Sequence, residues 1–224
     1  VLRTLTRGLL SGLQYVAVQG ANVRTSPLAG AARASAHDLL KAHRIAQLLA
    51  PGDRVLDIGC GRAERAQALR AFRPIDYTGL EVAAPASPPR ERVVLFDGEH
   101  VPFEDKTFDV VMLCYVLHHM SHARAASLLL DAARVARRRV ILLEDSMAQW
   151  SLLYRIRNRL HRVESDLAYA SATHYGSPGD ESMFLTHDAW RSFIGGLSPF
   201  RSVVVEPLGA ISKYAHHTLI DASL

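Results

Sequence analysis

The chain reads as an α/β domain with a doubly wound, Rossmann-like sheet, and three observations carry that expectation. Short apolar runs at 54–58, 75–80, 93–96, 108–113 and 139–143 alternate with helix-compatible or shortened connections, as in a parallel sheet covered on both faces. The first run passes straight into a glycine turn, Gly59-Cys60-Gly61, and then into a helix-compatible stretch, Arg62 to Phe72. Acids close the successive runs: Glu81, Asp97 and the pair Glu144-Asp145.

Before the sheet, residues 1–50 are expected to form N-terminal helices that cap it. Leu2, Leu5, Leu9 and Leu13 recur at steps of three and four, so Val1 to Gln19 presents one apolar helical face. That helix could dock on the core, on a partner or on a membrane surface; its arginine-rich, acid-free character is also that of a transit segment. Gly20 to Gly30 reads as a loop, and a second helix is predicted over Ser35 to Leu49, ended by Pro51-Gly52.

The core is expected over 51–145. Val55, Leu56 and Ile58 suit a strand buried on both faces, and Gly59 and Gly61 bring backbone N–H groups to a ligand without an obstructing Cβ. A dinucleotide site wants Gly or Ala as the sixth residue of G-x-G-x-x-G, but that position is Glu64, and Asp57 stands two residues before the turn. The nicotinamide fingerprint therefore fails. Acids at this turn suit a cationic ligand without phosphate, and S-adenosylmethionine, with a sulfonium and an α-ammonium, is one. Glu81 lies 24 residues after Asp57, where the acid at the second strand end accepts ribose hydroxyls. Asp97-Gly98 ends the third strand, placed for the exocyclic amine of an adenine.

Ala83 to Arg90, with Pro85, Pro88 and Pro89, is expected to be a cut-down crossover. Tyr115 to Met120 runs past the fourth strand as Y-V-L-H-H-M. A helix is predicted from Ala123 to Arg137, with Arg137-Arg138-Arg139 closing it against the C-terminal helix dipole. Residues 146–199 are expected to form a lid and acceptor insertion. It holds a helix-compatible stretch, Trp150 to Tyr169, a loop, Ser171 to Glu181, and a helix from Thr186, a candidate N-cap, to Ile194.

These pieces, in this order, resemble the class I S-adenosylmethionine-dependent methyltransferases of the small-molecule type. The resemblance rests on V-L-D-I-G-C-G at 55–61, Glu81, F-D-G at 96–98, P-F-E-D-K-T-F-D-V-V at 102–111, V-L-H-H-M at 116–120 and A-A-R-V-A-R-R-R-V-I-L-L-E-D at 132–145. It implies a seven-stranded, mostly parallel sheet with an antiparallel strand in its last hairpin, for which Phe200 to Glu206 and Tyr214 to Ile220 are the closing strands within 200–224. It also implies that Asp57, Gly59 and Gly61 contact the methionine end, Glu81 the ribose, and Asp97 with Gly98 the adenine. Cys60 and Cys114 complete the candidate donor site. Two departures stand out: Ala63 where many members carry a third glycine, and the arginine triplet where a P-G-G turn is customary.

The acceptor is less legible. Residues 113–116 read L-C-Y-V, unlike the N-P-P-Y used for planar amines. His118, His119 and Glu144 are the candidate catalytic groups, and Trp150, Tyr154, His174 and Tyr175 the candidate acceptor pocket. His118 and His122 have helical spacing, yet no acid or cysteine completes a metal set, so no metal is expected. The expected acceptor is a small organic O-, C- or N-nucleophile. An RNA or protein methyltransferase and a non-catalytic subunit of the same fold are the alternatives.

Composition narrows the partners. The net charge is +4, and residues 1–50 hold six Lys/Arg against Asp38 alone. These basic residues are spread out with only Tyr15 among them, which argues against nucleic acid. Two cysteines argue for a reducing, cytoplasmic setting, and no apolar run reaches the length of a transmembrane helix. A homo-oligomer is left open.

Overall fold

The computed structural model describes residues 36–84, 89–146, 185–208 and 216–224. The expected N-terminal helix, most of the insertion and the start of the last strand lie outside these residues.

Seven strands form one sheet: β1 (Arg54–Ile58), β2 (Asp76–Glu81), β3 (Arg92–Leu95), β4 (Phe108–Cys114), β5 (Ala136–Ser146), β6 (Ser202–Pro207) and β7 (His216–Ser223). Their order is β3-β2-β1-β4-β5-β7-β6. The first five are parallel, and β7 inserts antiparallel between β5 and β6. Helices α1 (Ala36–Ala46), α2 (Glu64–Arg70), α3 (His122–Val135) and α4 (His187–Gly195) pack on the two faces. The expected doubly wound sheet and its closing hairpin are present.

The strand period of two divides the core. Leu56 and Ile58 of β1, Val111 and Leu113 of β4, and Val140 and Leu142 of β5 face one layer with α3 and α4. Val55, Val110, Met112, Cys114, Ile141 and Leu143 face the other layer with α1 and α2. Both faces are apolar because both are covered, which is why these strands read as continuous apolar runs. Ser121 and Thr186 cap α3 and α4, accepting bonds from the N–H groups of Arg124 (3.3 Å) and Ala189 (3.2 Å).

One expectation fails. The arginine triplet does not close a helix: α3 stops at Val135 and β5 starts at Ala136 without a glycine turn. Each arginine instead reaches an acid on neighbouring chain: Arg137 to Asp109 (3.7 Å), Arg138 to the buried Asp53 (2.5 Å) and Arg139 to Asp221 (2.7 Å). The three arginines thus anchor the amino end of β5 to acids on or beside other strands of the sheet instead of the end of α3. Among the described residues, no helix is long and apolar enough to cross a membrane.

Candidate active site

In an open parallel sheet the ligand crevice lies beyond the carboxyl ends, where neighbouring strands send their connections in opposite directions. Here that point is between β1 and β4. The turn after β1 is left-handed at Gly59 (φ 70°) and Gly61 (φ 56°). A Cβ on Gly59 would stand 2.5 Å from Val116 Cγ2, whereas one on Gly61 would meet nothing within 4 Å. The first glycine is thus required by packing, and the second faces open space on the ligand side.

The turn is tied to the end of β2. Gly59 and Cys60 N–H groups donate to the Leu80 carbonyl (2.8 and 3.2 Å). Glu81 accepts from Gly61 N–H at Oε2 (2.7 Å) and from Val82 N–H at Oε1 (2.8 Å). Each carboxylate oxygen has two lone pairs, so Glu81 can hold the turn and still accept two ribose hydroxyls.

Asp57 is fully buried. Because Asp57 follows Leu56, it points into the α1/α2 layer, where Oδ2 accepts from Arg65 (2.9 Å) and the Tyr77 hydroxyl (2.7 Å). Its Oδ1 has no hydrogen-bond partner. Burial and the Asp57 charge push the Tyr77 phenol well above its ordinary range, keeping it a neutral donor. Asp57 therefore braces the turn from beneath, with one oxygen of unmet capacity. Arg65 and Tyr77 escaped the sequence reading; the signal was register, since β2 lies beside β1 with Asp57 opposite Gly79.

Asp97 organises its own loop. Its Oδ1 accepts from Glu99 and His100 N–H groups (2.8 and 2.7 Å), and Oδ2 lies 3.1 Å from His100 Nδ1. These bonds, the His100 N–H foremost, pull its pKa down to about 2. Gly98 follows at φ 84°. Cys60 and Cys114 are buried, and burial raises both thiols to about 12, so any donor contact falls to their backbone.

Beyond β4 the chain makes a turn of 3-10 helix at Leu117–His119. Glu144, fully buried on β5, accepts from Val116 and Leu117 N–H groups at Oε1 (3.0 and 2.8 Å). Its Oε2 lies 2.6 Å from His118 Nδ1. With Glu144 as acceptor, Nδ1 is the nitrogen that donates in this contact. Asp145 points to the opposite face and bonds His217 Nδ1 (2.7 Å), a histidine the sequence reading missed. His119 lies against His118 with ring centroids 4.0 Å apart and ring planes tilted by 44°, and burial, then the neighbouring His118, lower its pKa to about 4. Among the described residues, no cluster of three or more His, Cys, Asp or Glu could hold a metal. Trp150, Tyr154, His174 and Tyr175 lie outside the described residues.

With this geometry in hand, known proteins give the class. Residues 56–143 match the family model described as a methyltransferase domain. The chain is 32% identical over 126 residues to a phthiotriol/phenolphthiotriol dimycocerosates methyltransferase 1 of Mycobacterium ulcerans, covering 52% of this chain and 43% of that protein. It is 34% identical over 84 residues to the 27-O-demethylrifamycin SV methyltransferase of Amycolatopsis mediterranei, covering 32% and 31%. The matches thus span less than half the length of these relatives. In fold it is similar to magnesium protoporphyrin IX methyltransferase of Synechocystis, solved with S-adenosylhomocysteine (TM-score 0.56, 16% identity, 83% and 82% covered). A putative methyltransferase of Bacillus halodurans is similar at TM-score 0.57 (16% identity, 84% and 98% covered). Residues 56–143 are thus those of a methyltransferase domain, on a fold shared with methyltransferases solved with S-adenosylhomocysteine or S-adenosylmethionine as cofactor.

The residues fit that cofactor. Open space beyond Gly61, a carboxylate at the end of β2 with lone pairs to spare, and an unmet oxygen on buried Asp57 suit a ribose and a cationic amino-acid end.

Proposed function

We propose that this chain transfers a methyl group from S-adenosylmethionine to a small organic acceptor, with His118 as general base. The cofactor supplies a methyl carbon already activated by its sulfonium, so the protein's part is to align the acceptor and take up its proton. Gly59 and Gly61 bring the turn against the donor, Glu81 takes the ribose hydroxyls, and Asp97-Gly98 borders the adenine. His118 receives the acceptor's proton at Nε2, while Glu144 fixes the tautomer and steadies the imidazolium. His119 has too low a pKa to share that work near neutrality. Glu144 is thus a positioning residue, not a second base.

The single observation that carries this reading is the His118–Glu144 contact of 2.6 Å just beyond β4, the strand that borders the donor crevice. The acceptors named for the two curated relatives are small molecules, which supports the same class here. Residues 146–199 contribute the acceptor pocket. The two reduced, buried thiols suit a cytoplasmic setting.

A labelled-methyl screen with the purified chain, fractionated metabolite extracts and mass spectrometry of the product tests it. Label is expected in a nuclease- and protease-resistant small molecule. Label lost on nuclease or protease treatment would replace the acceptor class with RNA or protein, and no transfer to any pool would favour a non-catalytic subunit.

A further inference from the structure

A methyl donor with an amino-acid end carries a carboxylate as well as cations, and the acids at the turn do nothing for it. The described cations near the crevice are few. Arg65 is committed to Asp57 (2.9 Å), and Arg44 is paired with Glu206. Lys41 of α1 is different. Its side chain is only 12% exposed, and its ammonium contacts Asp38 at 3.6 Å, beyond hydrogen-bond length, with Asp38 itself 55% exposed. The ammonium lies 5.2 Å from the centroid of the Tyr115 ring.

Tyr115 is the first residue beyond β4, at the switch point of the sheet. It holds φ 63°, which a bulky side chain adopts only when its surroundings impose it. Its N–H is fixed by the Leu143 carbonyl (2.7 Å), and its ring meets His217 edge-on at 5.3 Å. Its buried hydroxyl has no hydrogen-bond partner. Asp145 is already bonded to His217 (2.7 Å). The ammonium of a side chain only 12% exposed, 3.6 Å from Asp38, is therefore held over the ring of Tyr115, whose backbone is strained, just beyond the end of β4. That is a site for an anion.

We propose that Lys41 receives the α-carboxylate of the methyl donor, with the Tyr115 ring holding the ammonium in place. The assignment rests on the donor reading above and extends the site to α1, a helix outside the glycine turn and its strand-end acids. It predicts discrimination between two donors that differ by one group: S-adenosylmethionine and its decarboxylated analogue, S-adenosyl-3-methylthiopropylamine.

Calorimetric titration of the wild-type chain and of Lys41→Met with both compounds tests it. A charge-assisted hydrogen bond to the carboxylate corresponds to about 10- to 100-fold in affinity. Lys41→Met is expected to lose about that factor for S-adenosylmethionine and to bind the decarboxylated analogue as the wild type does, which also shows that the variant is folded. Equal loss for both compounds, or loss for neither, overturns the assignment of Lys41 while leaving the donor reading intact. A wild-type chain that binds S-adenosylmethionine no more than the analogue overturns it too. Absence of binding of either compound to the wild type overturns the donor reading and this assignment with it.

Discussion

Glu144 holds His118 from behind: its Oε2 lies 2.6 Å from His118 Nδ1, while its Oε1 is occupied by two backbone N–H groups. A carboxylate saturated on one side has one role left, to fix the imidazole. Glu144→Gln keeps the shape but can present an amide N–H to Nδ1, which moves the ring proton to Nε2. Methyl transfer by Glu144→Gln and by His118→Asn is expected to fall by about 10²–10⁴-fold in kcat, with donor affinity unchanged. Activity within twofold of wild type in His118→Asn would remove His118 from the mechanism.

The buried Asp57 charge is neutralised by Arg65. Removing one partner of a buried pair costs about 3–5 kcal/mol, because the other charge is left without compensation. Arg65→Met is expected to lower stability by the lower part of that range, since Arg65 is 23% exposed and Tyr77 still bonds Asp57. Tyr77→Phe is expected to cost about 1–3 kcal/mol, the usual cost of orphaning one buried hydrogen bond. Urea unfolding of both variants measures this; a larger loss from Tyr77→Phe than from Arg65→Met would contradict the ion pair as the main brace.

Ala63 sits at φ 57° and ψ 25°, the left-handed region, immediately before α2. A Cβ there costs roughly 1–2 kcal/mol, and glycine removes the penalty at some cost in chain entropy. Ala63→Gly is expected to raise stability by up to ~1 kcal/mol by denaturant unfolding. A loss of stability would show that the buried methyl group contributes more than the strain costs.

Burial pushes the His119 imidazole down from the ordinary 6.5 to about 4 in the folded chain. As pH falls, the unfolded chain takes this proton first. Its contribution to stability is therefore whole above about 6.5, is lost as pH falls towards 4, and then levels off. His119→Gln is expected to flatten the stability profile between pH 6.5 and 4, measured by urea unfolding across that window. An unchanged slope would mean that His119 is not held neutral.

What the sequence disclosed follows from which forces act locally. Alternation along Val55 to Ile58 and Phe108 to Cys114, with sheet coverage on both sides, wrote the core into apolar runs, and Thr186 announced its helix by the chemistry of capping. The acid at Glu81 was legible because a strand end has a fixed place in the sheet. Long-range partners were not. Arg137, Arg138 and Arg139 looked like a helix terminus because their acids, Asp109, Asp53 and Asp221, lie 28, 85 and 82 residues away. The partners that brace Asp57 were hidden for the same reason, Tyr77 being brought to it by strand register. Lys41 carried no motif; only packing of α1 against the end of β4 brings it to Tyr115.

The central claim is a donor site in which Glu81 takes the ribose, and titration calorimetry with S-adenosylmethionine and S-adenosylhomocysteine tests it most directly. Saturable binding of both is expected, weakened about 10-fold or more in Glu81→Ala, which removes the carboxylate that ties Gly61 and that is proposed to accept the hydroxyls. No saturable binding of either ligand up to millimolar concentration, or an affinity unchanged in Glu81→Ala, would contradict the account.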